Sequence, residues 1–486
     1  MKMGSFDCRV PPGAVGSRAL MKTLPISPQG EPANSSLTGR CARRRKVNKP
    51  MSYARRVPFV LLLTSLGCDA NQGALPPPNT LNFPAALAIS PETAGNQFLL
   101  VASANFDVRY NSGALHSFDL NRLRTAITEC AEAPCEFPEV GPFIVSEAFV
   151  SSHVSGLAFS PRGDRAYLAV RATADMTWVD FDPATGSISC DGEGQPELCA
   201  PTRETTLSST DCGRTPVLFG DPIAIVAESV SRVTGLATDD DYVVMLHRNG
   251  RASLFIDRVV DGLRQPVLVH TTSGLPPDLV QASHEPASGL IWTHSAFADP
   301  NRATRSIGFA GVSYDQTNPE CSSVFSAGSL LLRGLDDGFD TRDSAFSLDG
   351  SDAYVIARRP EALVRIDMDR SPLFPGEAAI DQTSIVGFGP SRVERVSVDG
   401  RDIIAVSCFD DRKVWFIDGS SGRTLGVVPR LAGPFEMADD AANDLLWVGD
   451  FRDSVLSAID YSPLRTGGEP RLVATFGRVR PVGVLR

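Results

Sequence analysis

Short apolar runs alternate with polar turns along most of the chain, and the pattern is clearest between Gly156 and Asp182. Leu157 to Phe159 is apolar, Pro161-Arg-Gly-Asp164 forms a turn signal, Ala166 to Val170 is apolar, Arg171 to Asp175 is polar, and Thr177 to Phe181 alternates. Runs of this length, bounded by Gly, Pro and Asp, predict three strands in a meander. One such sheet cannot bury both faces, so a recurring triplet implies sheets packed against their own copies.

The triplet recurs on both sides. Unit one is Phe83 to Pro91, Phe98 to Ala102 and Ala114 to Asp119, and the Gly156 stretch is unit two. Unit three is read at Val233 to Ala237, Tyr242 to Leu246 and Ala252 to Asp257; unit four, the weakest, at Leu279 to Ala282, Leu290 to Thr293 and Arg305 to Ala310. Units five, six and seven start at Ser344, Val393 and Phe435 and end at Asp367, Asp418 and Asp460. Apolar segments such as Val267 to His270, Thr424 to Val428 and Leu472 to Phe476 supply fourth strands. With little helical periodicity, the pattern predicts an all-β chain: a seven-bladed β-propeller of four-stranded antiparallel blades over residues 81–486. Insertions are expected around Cys130 and Cys135, from Ser187 to Asp221 and over residues 312–340, and Pro481 to Leu485 is expected to pair in the closing blade.

Units of the form apolar strand, Ser-Pro-x-Gly-x, Tyr-Leu-Ala-Val, polar turn, apolar-Val-Asp resemble the YVTN-type β-propeller repeat of bacterial surface and periplasmic proteins, lactonase-like propellers among them. The resemblance is strongest in units two, five, six and seven. It implies seven blades, but propellers serve many functions, so it gives only a weak lead on activity.

Charge divides the chain. Of the 46 Lys and Arg, 12 lie in residues 1–67 with only Asp7 and Glu31 of the 57 acids, so the remainder carries 34 minus 55, a net −21. An acidic body excludes binding nucleic acid through its phosphates, which needs a basic stripe. Residues 51–67 have a charged start and an apolar run too short to span a bilayer, ending at Gly67-Cys68. They resemble a bacterial lipoprotein signal, which implies lipidation of Cys68 and a membrane partner through that anchor; Leu66 departs from the usual small residue. Residues 1–50 then read as a mis-called or disordered N-terminal extension, residues 68–80 as a tether, and the protein as exported to the cell envelope, on the outer membrane or its periplasmic face.

The cysteines agree with export. Cys130 with Cys135, Cys190 with Cys199 and Cys212 with Cys321 are disulfide candidates, which leaves Cys408 as a buried thiol. A zinc site from Cys190, Cys199 and Cys212 lacks a CxxC element. The aspartates closing the units, Asp119, Asp180, Asp257, Asp367, Asp418 and Asp460, are expected to cap turn amides. Arg162-Gly163-Asp164 reads as a turn rather than an adhesion motif.

In a propeller, the loops between second and third strands gather at one end of the channel. Here they supply candidate ligand-binding residues: Asp107, Arg109, Arg171, His247, Arg248, His294, Arg358, Asp410, Arg412, Asp450 and Arg452, with phenylalanines among them. No catalytic motif, phosphate loop or dinucleotide fingerprint is present, and no catalytic residue, metal ligand or cofactor is expected. The function expected is a binding or scaffolding module for an envelope protein or polar ligand. The competing expectation is a lactonase-like hydrolase or lyase with a divalent metal at the channel mouth, for which His284, Glu285 and His294 would be ligands or acid–base partners.

Overall fold

A computed structural model of the chain divides it into two units, Met1–Gly67 and Cys68–Arg486. It describes residues 73–478, except 193, 195, 200–205, 209–211, 214–215, 261, 297–305, 333–339, 370–376 and 379. Residues 1–67, where an extension and a signal are expected, Cys68, and the expected closing strand at Pro481 to Leu485 lie outside the described residues.

The described chain forms seven sheets that follow one another along the chain in the order of a seven-bladed β-propeller, some of them completed by a strand from elsewhere. The innermost strands are Pro84–Ile89, Val154–Phe159, Pro222–Ser229, Leu279–His284, Thr341–Phe346, Pro390–Val398 and Pro434–Asp440. Each is followed by antiparallel second, third and fourth strands, and neighbouring innermost strands pack side by side around the ring. The second strands are the most deeply buried: Phe98–Ser103, Arg165–Val170 and Asp241–His247 are buried along their whole length, because each is flanked by strands and covered by adjacent blades.

Blade three differs from its expected register. Its innermost strand is Pro222–Ser229, while Val230–Thr234 forms a short helix stopped by Gly235 at φ +71°. Pro222-Ile-Ala-Ile-Val-Ala is the longer continuous apolar run, and the left-handed glycine after Thr234 suits a helix C-terminus.

Four blades gain a fifth strand, added in parallel at the outer edge. Cys135–Phe137, inserted in blade one, pairs with Arg471–Phe476 of blade seven. Glu197–Leu198, after blade two, pairs with blade one; residues 377–378, within blade five, pair with blade four; and Thr206–Leu207 pairs with blade three. Three of these insertions therefore reach back to cover the preceding blade's edge, which blunts exposed backbone. Five of the six disulfide cysteines sit in the same insertions, and the sixth, Cys321, lies between the third and fourth strands of blade four. Cys130 pairs with Cys135, Cys190 with Cys199 and Cys212 with Cys321, as the spacing suggested, and Cys408 is a buried free thiol.

Asp119 caps the helix Leu120–Thr128 through the amides of Asn121 (2.9 Å) and Arg122 (3.2 Å), and Asp418 and Asp460 cap the turns after them. Asp180 and Asp257 instead form ion pairs with Arg165: Asp180 is its cross-strand partner within blade two, and Asp257 reaches it from blade three, whose strand end faces it there. In the Arg-Gly-Asp turn, Gly163 adopts φ +71°, Arg162 is paired with Asp241 at 3.2 Å and Asp164 accepts from the Ser160 hydroxyl at 2.7 Å, so all three residues are used by the fold.

Candidate functional site

Every innermost strand shifts register at its head: between Pro84 and Ala86, Val154 and Gly156, Pro222 and Ala224, Leu279 and Gln281, Thr341 and Asp343, Pro390 and Arg392, and Pro434 and Met437. A bulge inserts a residue without a ladder partner and re-aims its side chain. In six of the seven that residue points into one end of the channel, since Ala85, Ser155, Ile223, Val280, Arg342 and Phe435 all line a single cavity of about 450 Å³; in blade six the residue after the bulge, Arg392, does so instead. Loops between second and third strands close over it with Phe106, Arg171, Arg248, Phe409 and Phe451, so all seven blades contribute. This is the end of the channel that the loop residues predicted, and its volume lies in the range of small-molecule sites.

The walls differ. Blades six, seven and one supply phenylalanines around Phe451, whose ring centre lies 5.1 Å from Phe83, 5.5 Å from Phe106 and 5.7 Å from Phe435. Blades two, three, five and six supply Arg171, Arg248, Arg342 and Arg392. Arg171 is held by Asp221 at 2.5 Å, and Arg392 by Glu436 at 2.7 Å with its guanidinium 4.6 Å from the Phe435 ring centre. Arg248 is looser, with Asp278 at 3.9 Å.

Below the mouth the channel changes sign. A polar recess of about 190 Å³ is lined by Asp343, Glu394 and Glu436 together with Arg392 and Ser283. Asp343 accepts from the Ser283 hydroxyl (2.9 Å) and the Val393 amide (3.2 Å), yet burial pushes its carboxyl up to about 7. Burial, reinforced by Asp439 and Asp343, pushes Glu394 up to about 8.

Of the residues expected at the rim, Arg171 and Arg248 line the cavity. Asp107 and Arg109 pair with each other at 3.1 Å in the blade-one loop, and Asp410 bridges Arg358 (2.8 Å) and Arg452 (3.2 Å) across blades five to seven, outside the cavity. Arg412 occupies a turn at φ +58°. His247, His294 and Asp450 are buried within blades rather than presented to the channel. His247 shares a hydrogen bond with Ser253 (2.8 Å), His294 with Ser344 (3.0 Å), and Asp450 accepts from Ser457 (2.6 Å) and the Ala432 amide (3.1 Å). Each ends or nearly ends its second strand, where an in-pointing polar side chain meets the neighbouring strand instead of solvent. The two residues that share the mouth with them, Arg342 and Arg392, were not among the candidates. Their signal is a cation at the head of an innermost strand, two residues after Asp340 or Pro390.

His284, Glu285 and His294 do not converge. His284 pairs in register with Ile291 and His294 with Gln281, which places them at opposite ends of one hairpin, and Glu285 caps its own turn at Ala287 and Ser288. Among the described residues no group of three His, Cys, Asp or Glu side chains is placed to hold a metal ion.

The buried carboxyls predict an acid-favouring stability profile. Asp343 and Asp450 are raised to about 7 and Glu394 to about 8 by burial, so between about pH 8 and 6.5 the folded chain takes up protons that the unfolded chain does not. Stability should therefore rise on acidification through that window. Below it, His247 and His294, lowered by burial to about 4 and about 3, oppose the trend because unfolded imidazoles protonate first. Urea midpoints at the two ends of the window check this, and a midpoint that falls from pH 8 to 6.5 would contradict it.

No family model matches the chain, and no curated protein matches it. Among solved structures, hydrazine synthase of Kuenenia stuttgartiensis is 10% identical, with a TM-score of 0.48 over 79% of this chain and 96% of that one. A 6-phosphogluconolactonase-like protein of Bacteroides fragilis is 15% identical, with a TM-score of 0.46 over 77% of this chain and 90% of that one. A similar protein of Bacteroides uniformis is 13% identical, with a TM-score of 0.44 over 70% and 83%. Likenesses at this level assign no activity or substrate to this chain.

Proposed function

We propose that the protein is an exported, lipid-anchored propeller that binds a ligand or a protein loop at the bulged end of its channel. The observation that carries this reading is the convergence of all seven blades on one cavity, six of whose lining residues are turned inward by a register shift at a strand head. Three disulfides support an oxidising compartment, since thiols stay reduced in the cytosol.

The anchor would bear on how the mouth is presented. Residues 73–80 pack against blade one: the Asn111 amide donates to the Ala74 carbonyl (3.2 Å) and the Asn79 amide to Glu147 (3.0 Å). Asn111 belongs to the same loop as Phe106 at the mouth. Four residues separate Cys68 from Gly73, so a lipid on Cys68 would hold Gly73, which sits against Asn111 of the mouth-side loop, within about 17 Å of the bilayer. Metabolic labelling with palmitate should mark the wild type and spare Cys68→Ala; equal labelling of both would exclude that cysteine.

The binding role is tested by passing envelope extract and its small-molecule fraction over immobilised protein beside an Arg248→Glu/Phe106→Glu variant. Compounds or proteins held by the wild type should be lost by the variant. Identical retention would remove the mouth as the binding site.

A further inference from the structure

We propose that the mouth takes an organic anion with a planar apolar ring, a carboxylate, sulfonate or phosphate of an aromatic compound. The inference rests on the mouth being the binding site and adds the class of ligand. Its charged lining residues are Arg171, Arg248, Arg342 and Arg392, with no aspartate or glutamate among the lining side chains, although residues 68–486 carry a net −21. A cavity of one sign set in a body of the other is an anion-selective feature, because the low-dielectric walls of a cleft focus the local field over the distant charges.

Three of these arginines are committed in part. Arg171 binds Asp221 through Nε, Arg342 binds Asp340 at 2.7 Å, and Arg392 uses Nε on Glu436 and Nη1 on the Ser391 carbonyl. Arg248, with its nearest carboxylate oxygen at 3.9 Å and nearly half its side chain exposed, has a fork free to grip an oxyanion. His153 stands at the same mouth; burial and the nearby Arg171 charge lower the pKa of its imidazole, which favours the neutral form, and that form still offers one N–H to an oxyanion.

The other wall selects the body of the ligand. Phe106 is more than half exposed and lies edge-on to both Phe451 (5.5 Å, 71°) and His153 (5.9 Å, 82°). An exposed phenyl ring seated in an aromatic cluster over a cavity presents a face to which a further ring can stack. An aliphatic sugar phosphate would satisfy the arginines and leave this wall unused, whereas a neutral aromatic would do the reverse.

The test uses two fluorescent probes on the mature protein: 1-anilinonaphthalene-8-sulfonate, and N-phenyl-1-naphthylamine, which has the same rings without the sulfonate. The sulfonate should bind one saturable site, and Arg248→Ala should weaken it about tenfold or more with little change for the neutral probe. Phe106→Ala, an exposed position with little demand on folding, should weaken both. Equal affinity for both probes with no effect of Arg248→Ala would overturn the anionic class while leaving the mouth as a binding site. Failure of either probe to respond to Phe106→Ala would overturn the aromatic class. If, in addition, the Arg248→Glu/Phe106→Glu variant retains everything the wild type retains from extract, the binding reading itself falls.

Discussion

Replacing Asp257 by alanine is expected to destabilise the fold by about 3–5 kcal/mol, the loss typical of removing one partner from a buried ion pair. Asp257 is fully buried and joins two blades: it accepts from Arg165 of blade two at 2.9 and 3.1 Å, from Arg264 of its own blade at 3.1 Å, and from the buried Tyr167 hydroxyl. Burial raises its carboxyl above the usual range despite the Arg165 charge, so desolvation already exceeds the Coulombic gain at this position. The alanine variant keeps that desolvation on the other side, leaving Arg165 with Asp180 and the Tyr167 hydroxyl without its acceptor. Asp180→Ala is the control, since Asp180 contacts the same arginine from a side chain 42% exposed and should cost less than about 1 kcal/mol. Denaturant unfolding of the two variants checks the contrast, and comparable losses would show that the inter-blade carboxylate carries no special weight.

That network also marks what the sequence could convey. The triplet of apolar strand, turn and apolar strand was legible because each blade repeats it and the second strand is buried on both faces, as in Ala166 to Val170. The aspartates at unit ends looked alike because they share a position, yet Asp119 and Asp418 meet turn amides, Asp180 meets Arg165 on the neighbouring strand of its own blade, and Asp257 meets the same arginine across the blade boundary; only the packing of strands and blades distinguishes them. Strand Pro222–Ser229 was displaced in the reading because Val233-Thr-Gly-Leu-Ala imitates a unit start, although Gly235 takes a left-handed φ that ends a helix. At the site, loop positions such as Arg171 and Arg248 were readable from alternation alone. Arg342 and Phe435 were not, because they reach the mouth through register shifts that alternation cannot register, and Arg392 sits immediately after such a shift, where the alternation has been reset.

Closure of the ring was the least legible feature, and it sets the second large effect: Phe476→Ala should cost about 3–5 kcal/mol and open the seam between blades seven and one. Phe476 is fully buried at the end of the last described strand, stacked on Phe137 (4.8 Å, 11°) and met edge-on by Phe143 (5.2 Å, 85°). Phe137 and Phe143 belong to the insertion of blade one, and Cys135–Phe137 pairs in parallel with Ala474–Phe476. The same insertion sends Arg124 across to Asp440 of blade seven through two 2.8 Å bonds. A two- or three-residue parallel strand cannot hold by its own hydrogen bonds, so the aromatic stack and the Arg124 fork keep it in place. Loss of the Phe476 ring should therefore do more than leave a cavity. It should raise hydrogen exchange at residues 135–137 and 474–476 ahead of global unfolding, because a ring without its seam is an open sheet stack with two free edges. Phe416→Ala provides the comparison: an equally buried phenylalanine within blade six, whose removal should lower stability by a similar amount without selective exchange at the seam. If both variants leave the same exchange pattern, closure does not depend on the insertion; if only Phe476→Ala exposes those residues, the short strand borrowed from blade one is what completes the propeller.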